Sequence, residues 1–346
     1  MAEKGKKIKE ISELGEFGLI DHLTKNIKSD DKNLIKGIGD DTAVFKTGNT
    51  CTLVTTDLLV EGIHFNLIYS PLKHLGYKAV VVNLSDIYAM NATPKYITIS
   101  LALSSKFSLN AIEELYSGIL LACKNYNVEL IGGDTSSSLS GLFISITAIG
   151  EAKKNDIVYR SGAKPNDLIC VSGNLGAAYL GLQLLEREKE VFLSDTSMQP
   201  QLDGFEYIVE RQLKPEPRRD IIETLRNHNI KPTSMIDISD GLSSELLHLC
   251  KNSDLGCRIF EEKIPVAPQS IAAAEMFRLD TSLAALNGGE DYELLFTVPL
   301  DKKEEIEKIP DISIIGYMTS ASEEKFFVAK NGIELELKAQ GWNPLK

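Results

Sequence analysis

No apolar run in the sequence approaches the roughly 18 residues that a membrane-spanning helix needs. Met1 to Glu10 is charged and carries no apolar stretch of the signal-peptide kind, so a soluble, cytoplasmic protein is expected. Positive charge is scarce: 37 Lys and Arg stand against 49 Asp and Glu, a net charge of −12. That balance argues against nucleic-acid binding through a general basic surface. Cysteine is also scarce, five residues with no C-x-x-C spacing, so neither a disulfide framework nor a zinc site is expected. Cys51, Cys123 and Cys170 lie in apolar stretches and read as small core residues. There is no G-x-x-x-x-G-K-[ST] phosphate loop, no protein-kinase loop set and no nucleophile triad. Of five histidines only His64, in Gly62-Ile63-His64-Phe65, stands near an acidic motif.

What is present suits a globular protein of two domains: 346 residues, 43% hydrophobic and 25% charged. Periodicity and turn signals predict a short helix from Gly15 to Ile27 and strands at Ala43–Phe45 and Cys51–Thr56, with Asp57 at a strand end. Pro71–Met90 has strand-like Val80-Val81-Val82, but its length and Ala/Leu content favour a helix stopped at Asn91, with Asn83 and Asp86 on one face. Further on come a strand at Lys95–Leu103, a helix capped by Ser108, and a strand from Val128 running into Gly132-Gly133-Asp134-Thr135. After a strand at Leu142–Ile149, the composition shifts at Glu151 to Asp156. The expected domains are 1–150 and 151–346.

In the second half, Gly173-Asn174-Leu175-Gly176 links a strand to a helix. It is a structural turn or a phosphate cradle at the helix N-terminus, without the full dinucleotide fingerprint. Residues 187–203 read as a surface loop. A strand at Ser234–Ile238 leads to Asp237-Ile238-Ser239-Asp240-Gly241, and Gly288-Gly289-Glu290-Asp291 leads to a strand at Tyr292–Val298.

The acids therefore cluster: Asp40/Asp41 on a Gly turn, Asp57, Asp86, Asp134, Asp237/Asp240 and Glu290/Asp291. Each alone could be a cap or turn residue. Together, most of them where a strand meets a loop, they suggest a site for hard cations such as Mg²⁺.

In this order and spacing the motifs G-I-G-D-D, T-T-D-x-L-V-E-G-x-H-F, N-L-S-D-I-x-A-M, I-G-G-D-T, R-S-G-A-K-P, I-D-I-S-D-G-L and G-G-E-D-Y-E-L resemble the thiamine-monophosphate kinase family nearly end to end. That family sits in the aminoimidazole ribonucleotide synthetase-like superfamily. The resemblance implies an α/β (α+β) fold of two domains. An N-terminal sheet forms a barrel across a homodimer, and a C-terminal α/β domain packs against it. It implies γ-phosphoryl transfer from ATP to thiamine phosphate, assisted by several Mg²⁺ ions. By the same resemblance Asp41, Thr55, Thr56, Asp57, Asp86, Asp134, Asp237 and Asp240 match metal ligands, with Asp41, Asp57, Asp134 and Asp240 central to catalysis. Gly133, Asp134, Arg160 and Ser239 match ATP-contacting positions, and His64, Glu290 and Trp342 match substrate contacts. Asp40 is read as a supporting residue. Asn91 and Asn166 stand where Gly is usual, and both tolerate the left-handed backbone.

The alternatives are aminoimidazole ribonucleotide synthetase and a catalytically idle nucleotide or metal binder. Selenophosphate synthetase would show a reactive Cys near the start, and no Cys precedes Cys51.

Overall fold

The computed structural model describes residues 14–339, so Trp342 and the charged N-terminal segment lie outside the described residues. The first half runs α1 (Gly15–Thr24), β1 (Leu34–Lys36), β2 (Ala43–Thr47), β3 (Thr50–Val60), α2 (Leu72–Ala89), β4 (Thr93–Ser104), α3 (Leu109–Tyr126), β5 (Glu129–Ser138) and β6 (Leu142–Ala152). Its strands form one sheet in the order β1-β2-β3-β6-β4-β5, antiparallel except where β4 meets β5. Ser108 accepts a hydrogen bond from Ala111 N at 3.2 Å and caps α3. Asn91 stops α2 in the left-handed region at φ +53°.

The second half contains β7 (Leu168–Ser172), α4 (Ala177–Ser194), α5 (Glu206–Leu213), α6 (Arg219–Asn227), β8 (Ser234–Asp237) and α7 (Leu242–Ser253). It continues through β9 (Gly256–Phe260), α8 (Pro268–Phe277), α9 (Thr281–Asn287), β10 (Leu294–Val298), α10 (Lys303–Ile306), β11 (Ile312–Thr319), β12 (Lys325–Val328) and β13 (Glu334–Glu336). Here the sheet order is β13-β12-β9-β11-β7-β10-β8.

The two sheets share α2. Alternation along each strand sends side chains to opposite faces. Cys170, Met235, Leu294 and Phe296 of the second sheet join one core with Val80, Leu84 and Ile87 of α2 and Leu53 and Ile99 of the first sheet. Ile169, Val171, Ile236 and Leu295 point the other way, onto Leu242, Leu246 and Leu249 of α7. α2 is thus covered on both sides, which explains why its Val run is apolar around the helix.

Four sequence expectations change. Asp57 lies inside β3, not at its end, because the strand continues to Val60. Gly132 to Asp134 lie within β5. Residues 187–203 are not one loop: α4 continues to Ser194, carried by good helix formers such as Leu, Glu and Lys. Strands β1, β9 and β13 and helices α5, α8 and α9 were not anticipated, being short or weakly periodic.

Candidate active site

Period-2 alternation places Leu53, Thr55, Asp57 and Leu59 on the face of β3 that looks toward α2. Opposite them, Asn83 and Asp86 lie one turn apart on α2. The two elements are stitched together: Asp57 N donates to Asn83 Oδ1 at 3.0 Å, and Thr55 Oγ1 donates to Asp86 Oδ2 at 2.5 Å. Asp237 ends β8 on the same face as Met235, toward α2, and accepts from Ser85 Oγ at 2.5 Å. Oxygens of Asp41, Asp86 and Asp237 all lie within 4.8 Å of one another.

This concentration of carboxylates is costly out of water. Burial, offset in part by Arg160 and increased by Asp237, pushes Asp41 up to about 7. Burial, then the Asp237 charge, pushes Asp57 up to about 6. Burial followed by Asp57, Asp237 and Asp41 holds Asp86 well above the carboxylate range. Arg160 is the compensating cation within the chain. Its Nε and Nη2 reach Asp41 Oδ1 at 3.0 and 2.6 Å, while its backbone N donates to Asp40 Oδ1 at 3.1 Å. Asp41 Oδ2 is buried and has no hydrogen-bond partner. A buried carboxylate oxygen left open beside two further acids, with no Cys or His in the cluster, fits a hard divalent cation.

The adjacent acids Asp40 and Asp41 have distinct surroundings. Asp40 faces backward onto Arg160 N and Lys36, whose Nζ lies 3.3 Å away, while Asp41 faces the cluster.

Beside the cluster opens a cavity of about 890 Å³, lined in part by Asp57, Asp86, Asp237, Ser239, Asp240, His64 and Glu290. Two motif loops form one wall because the antiparallel pairing of β8 with β10 continues past the strands. Tyr292 N donates to Ile238 O at 2.9 Å and Glu290 N to Ser239 O at 2.7 Å. Asp240 N donates to Glu245 Oε1 at 2.8 Å, which holds the loop from behind. His64 closes the opposite side. Its Nδ1 accepts from Val60 N at 3.1 Å, so in the neutral ring the proton resides on Nε2.

Not every expected site residue joins the cluster. Thr56 points to the other face of β3, where its Oγ1 donates to Ile146 O at 3.1 Å. Asp134 pairs with Ser100 on edge strand β5, three strands from β3, and is exposed. Gly133 packs where a Cβ would meet Ile99 O at 1.9 Å, which accounts for the glycine on packing grounds. The Gly173–Gly176 turn does not offer an open cradle. Asp291 already fills it, accepting from Gly176 N at 2.7 Å and Ala178 N at 3.3 Å, so an anion there would meet a carboxylate.

Sequence reasoning missed Lys78 and Gln212, which meet at Glu290 on the cavity wall. A signal existed for the first: one lysine inside Tyr77-Lys78-Ala79-Val80-Val81-Val82 is a charge that a buried helix must match with a partner.

Residues 39–152 match the family described as AIR synthase related protein, N-terminal domain, and residues 164–329 its C-terminal domain. The thiamine-monophosphate kinase of Buchnera aphidicola subsp. Schizaphis graminum is 39% identical over 340 residues, 96% of this chain and 99% of the relative. That of Bacillus subtilis is 34% identical over 344 residues, 96% and 100% of the two chains. Among solved structures, AaThiL complexed with AMPPCP and TMP is 33% identical and superposes with a TM-score of 0.81, covering 96% of this chain and 98% of that one.

Proposed function

The chain belongs to the thiamine-monophosphate kinase family, and from that premise we infer how its own residues convert thiamine phosphate and ATP into thiamine diphosphate and ADP. The observation that carries the reading is the Asp41, Asp86 and Asp237 cluster, two of its acids buried and Asp86 half-buried, beside a cavity with room for a phosphorylated heterocycle.

The acceptor needs no base. A phosphate monoester has a second pKa near 6 and is largely a dianion at neutral pH. One of its oxygens attacks the γ-phosphorus, the bond from that phosphorus to the β–γ bridging oxygen breaks, and ADP leaves with the electron pair. The absence of a nucleophile triad is then expected. The difficulty is to bring two anions together in line. Asp41, Asp57, Asp86 and Asp237, with Thr55 and Asp240 beside them, would hold Mg²⁺ ions. When bound, Mg²⁺ neutralises phosphate charge and orients both reactants. Arg160, Ser239 and Gly133 are assigned to ATP. For Arg160 this means leaving Asp41, whose oxygens pass to the cation, and turning its guanidinium to phosphate. His64 Nε2–H and the Glu290 carboxylate are assigned to thiamine phosphate. Trp342 is assigned to the same substrate on the family pattern alone.

Thr56 and Asp134 share the face of the first sheet that looks away from α2. β5 is an exposed edge strand, with Ile131 on it and Leu139 just after it also exposed. An edge of this kind calls for a partner strand. A second copy of the chain, joined through residues 1–150, would cover that face and bring Thr56 and Asp134 into the nucleotide and metal site. A cytoplasmic homodimer is the assembly we infer.

The test is direct: purified protein, ATP, Mg²⁺ and thiamine phosphate, with chromatography for thiamine diphosphate. Formation of thiamine diphosphate with one ADP per product is expected. No thiamine diphosphate, with ATP converted to ADP only when a purine-pathway amidine is the acceptor, would sink the reading. Asp57→Asn should lower kcat by about 100-fold or more, the scale of removing a transition-state charge stabiliser, while leaving the unfolding midpoint unchanged or raised. Retained activity would remove Asp57 from the site.

A further inference from the structure

Lys78 stands mid-way along α2 with its side chain only 5% exposed. An ammonium at that depth survives only with anionic or carbonyl partners. It has both: Nζ donates to Glu290 Oε2 at 2.9 Å and to Gln212 O at 3.0 Å. Gln212 Nε2 donates to the same Glu290 Oε2 at 2.7 Å. The amide orientation follows, since a reversed amide would set its oxygen against the carboxylate.

Two donors therefore converge on one oxygen of Glu290. The Glu290 side chain nevertheless remains 27% exposed, on the wall of the cavity. Its backbone is unusual for a glutamate, in the left-handed region at φ +58°. Such a conformation persists where surrounding bonds over-determine it. Here those bonds are Glu290 N to Ser239 O and the paired grip of Lys78 and Gln212. The grip also crosses the molecule: Lys78 is on α2 beneath the first sheet, while Gln212 on α5 and Glu290 belong to the second half.

We propose that Lys78 and Gln212 are positioning residues for the acceptor substrate. They hold Glu290 by Oε2 and leave Oε1 to accept a hydrogen bond from the amino group on the heterocycle of thiamine phosphate. Ile63, Leu279 and Leu283 also line the cavity and supply apolar surface for the ring. The proposal rests on the cavity being the thiamine phosphate pocket. It adds that the substrate anchor is assembled from both halves of the chain and fails when either half lets go.

Lys78→Met keeps most of the stem and removes the ammonium, and Gln212→Met removes the amide. Breaking a buried hydrogen-bonded charge pair is expected to raise the KM for thiamine phosphate about tenfold or more in Lys78→Met. The rise should be smaller in Gln212→Met, with kcat and the KM for ATP within about threefold of wild type in both, the pattern of lost uniform binding. The double variant Lys78→Met/Glu290→Gln should raise the KM no further than the larger single effect, because the residues act as a unit. If Lys78→Met does not accumulate folded, Gln212→Met carries the measurement. An equal rise in both KM values, or single effects that multiply, overturns the proposal. A wild-type enzyme that makes no thiamine diphosphate overturns the functional reading and the anchor with it. An active wild type whose KM survives both substitutions overturns the clamp alone.

Discussion

At the scale of single residues, the chain tolerates like charges in proximity because each acid has a separate support. Asp86 is held by Thr55, Asp237 by Ser85, and Asp41 by Arg160. Each is still raised by burial, Asp41 to about 7 from an ordinary 3.8. A carboxyl raised by folding binds its proton more tightly in the folded state. Its contribution to stability is therefore present at low pH and lost as pH climbs from about 4 to about 7. His248 acts in the opposite sense, pushed down to about 4 by burial and then by Arg160, but it is one group against the three acids of the cluster. Mg²⁺ binds deprotonated acids, so it should restore what the rising pH removes. In EDTA-treated protein, the gain in Tm on adding Mg²⁺ should grow between pH 4 and pH 7 and level off above. Calorimetry showing a pH-independent gain would exclude these acids as the binding site. Much at this scale was readable in the sequence. The Gly-Asp-Asp turn and the Asn83/Asp86 spacing declared themselves by type and period, whereas the Lys78–Glu290 pair joins residues 212 positions apart.

At the scale of elements, α2 is the member that both halves share, and its packing on α3 depends on two glycines. A Cβ at Gly76 would lie 2.0 Å from Leu115 O, and one at Gly118 would lie 1.8 Å from Lys73 O. The contact is reciprocal, backbone to backbone, so no side-chain rotation relieves it. Gly118→Ala should lower the urea midpoint, with a cost of about 1–3 kcal/mol or more for overpacking. An unchanged midpoint would show that the helices do not approach this closely. The periodicity of α2 and α3 was legible because each is long. α5, α8 and α9 are short, and their sequence patterns compete poorly with loop readings. α5 matters most of these, since it carries Gln212 to Glu290.

At the scale of the whole molecule, the open edge of the first sheet is the unfinished feature. Light scattering is expected to give twice the mass of the chain for wild type. Ile131→Lys, which places a charge on the exposed edge strand β5, should shift the population toward single chains and lower activity with it. A fully active single chain would show that Thr56 and Asp134 need no second copy. The sequence by itself determined which residue types were available, the helical and strand periods, the left-handed turns at Asn91 and Asn166, and a set of acids suited to hard cations. Those properties arise within a few residues of backbone. Tertiary structure decided which acids share a site: Asp41, Asp86 and Asp237 come together, while Asp134 faces outward from a distant strand. It also decided that Asp291 closes the Gly-rich turn and that Lys78 has a partner. The physical reason is that charge compensation and desolvation depend on distance in space, and local sequence patterns carry period but not partner.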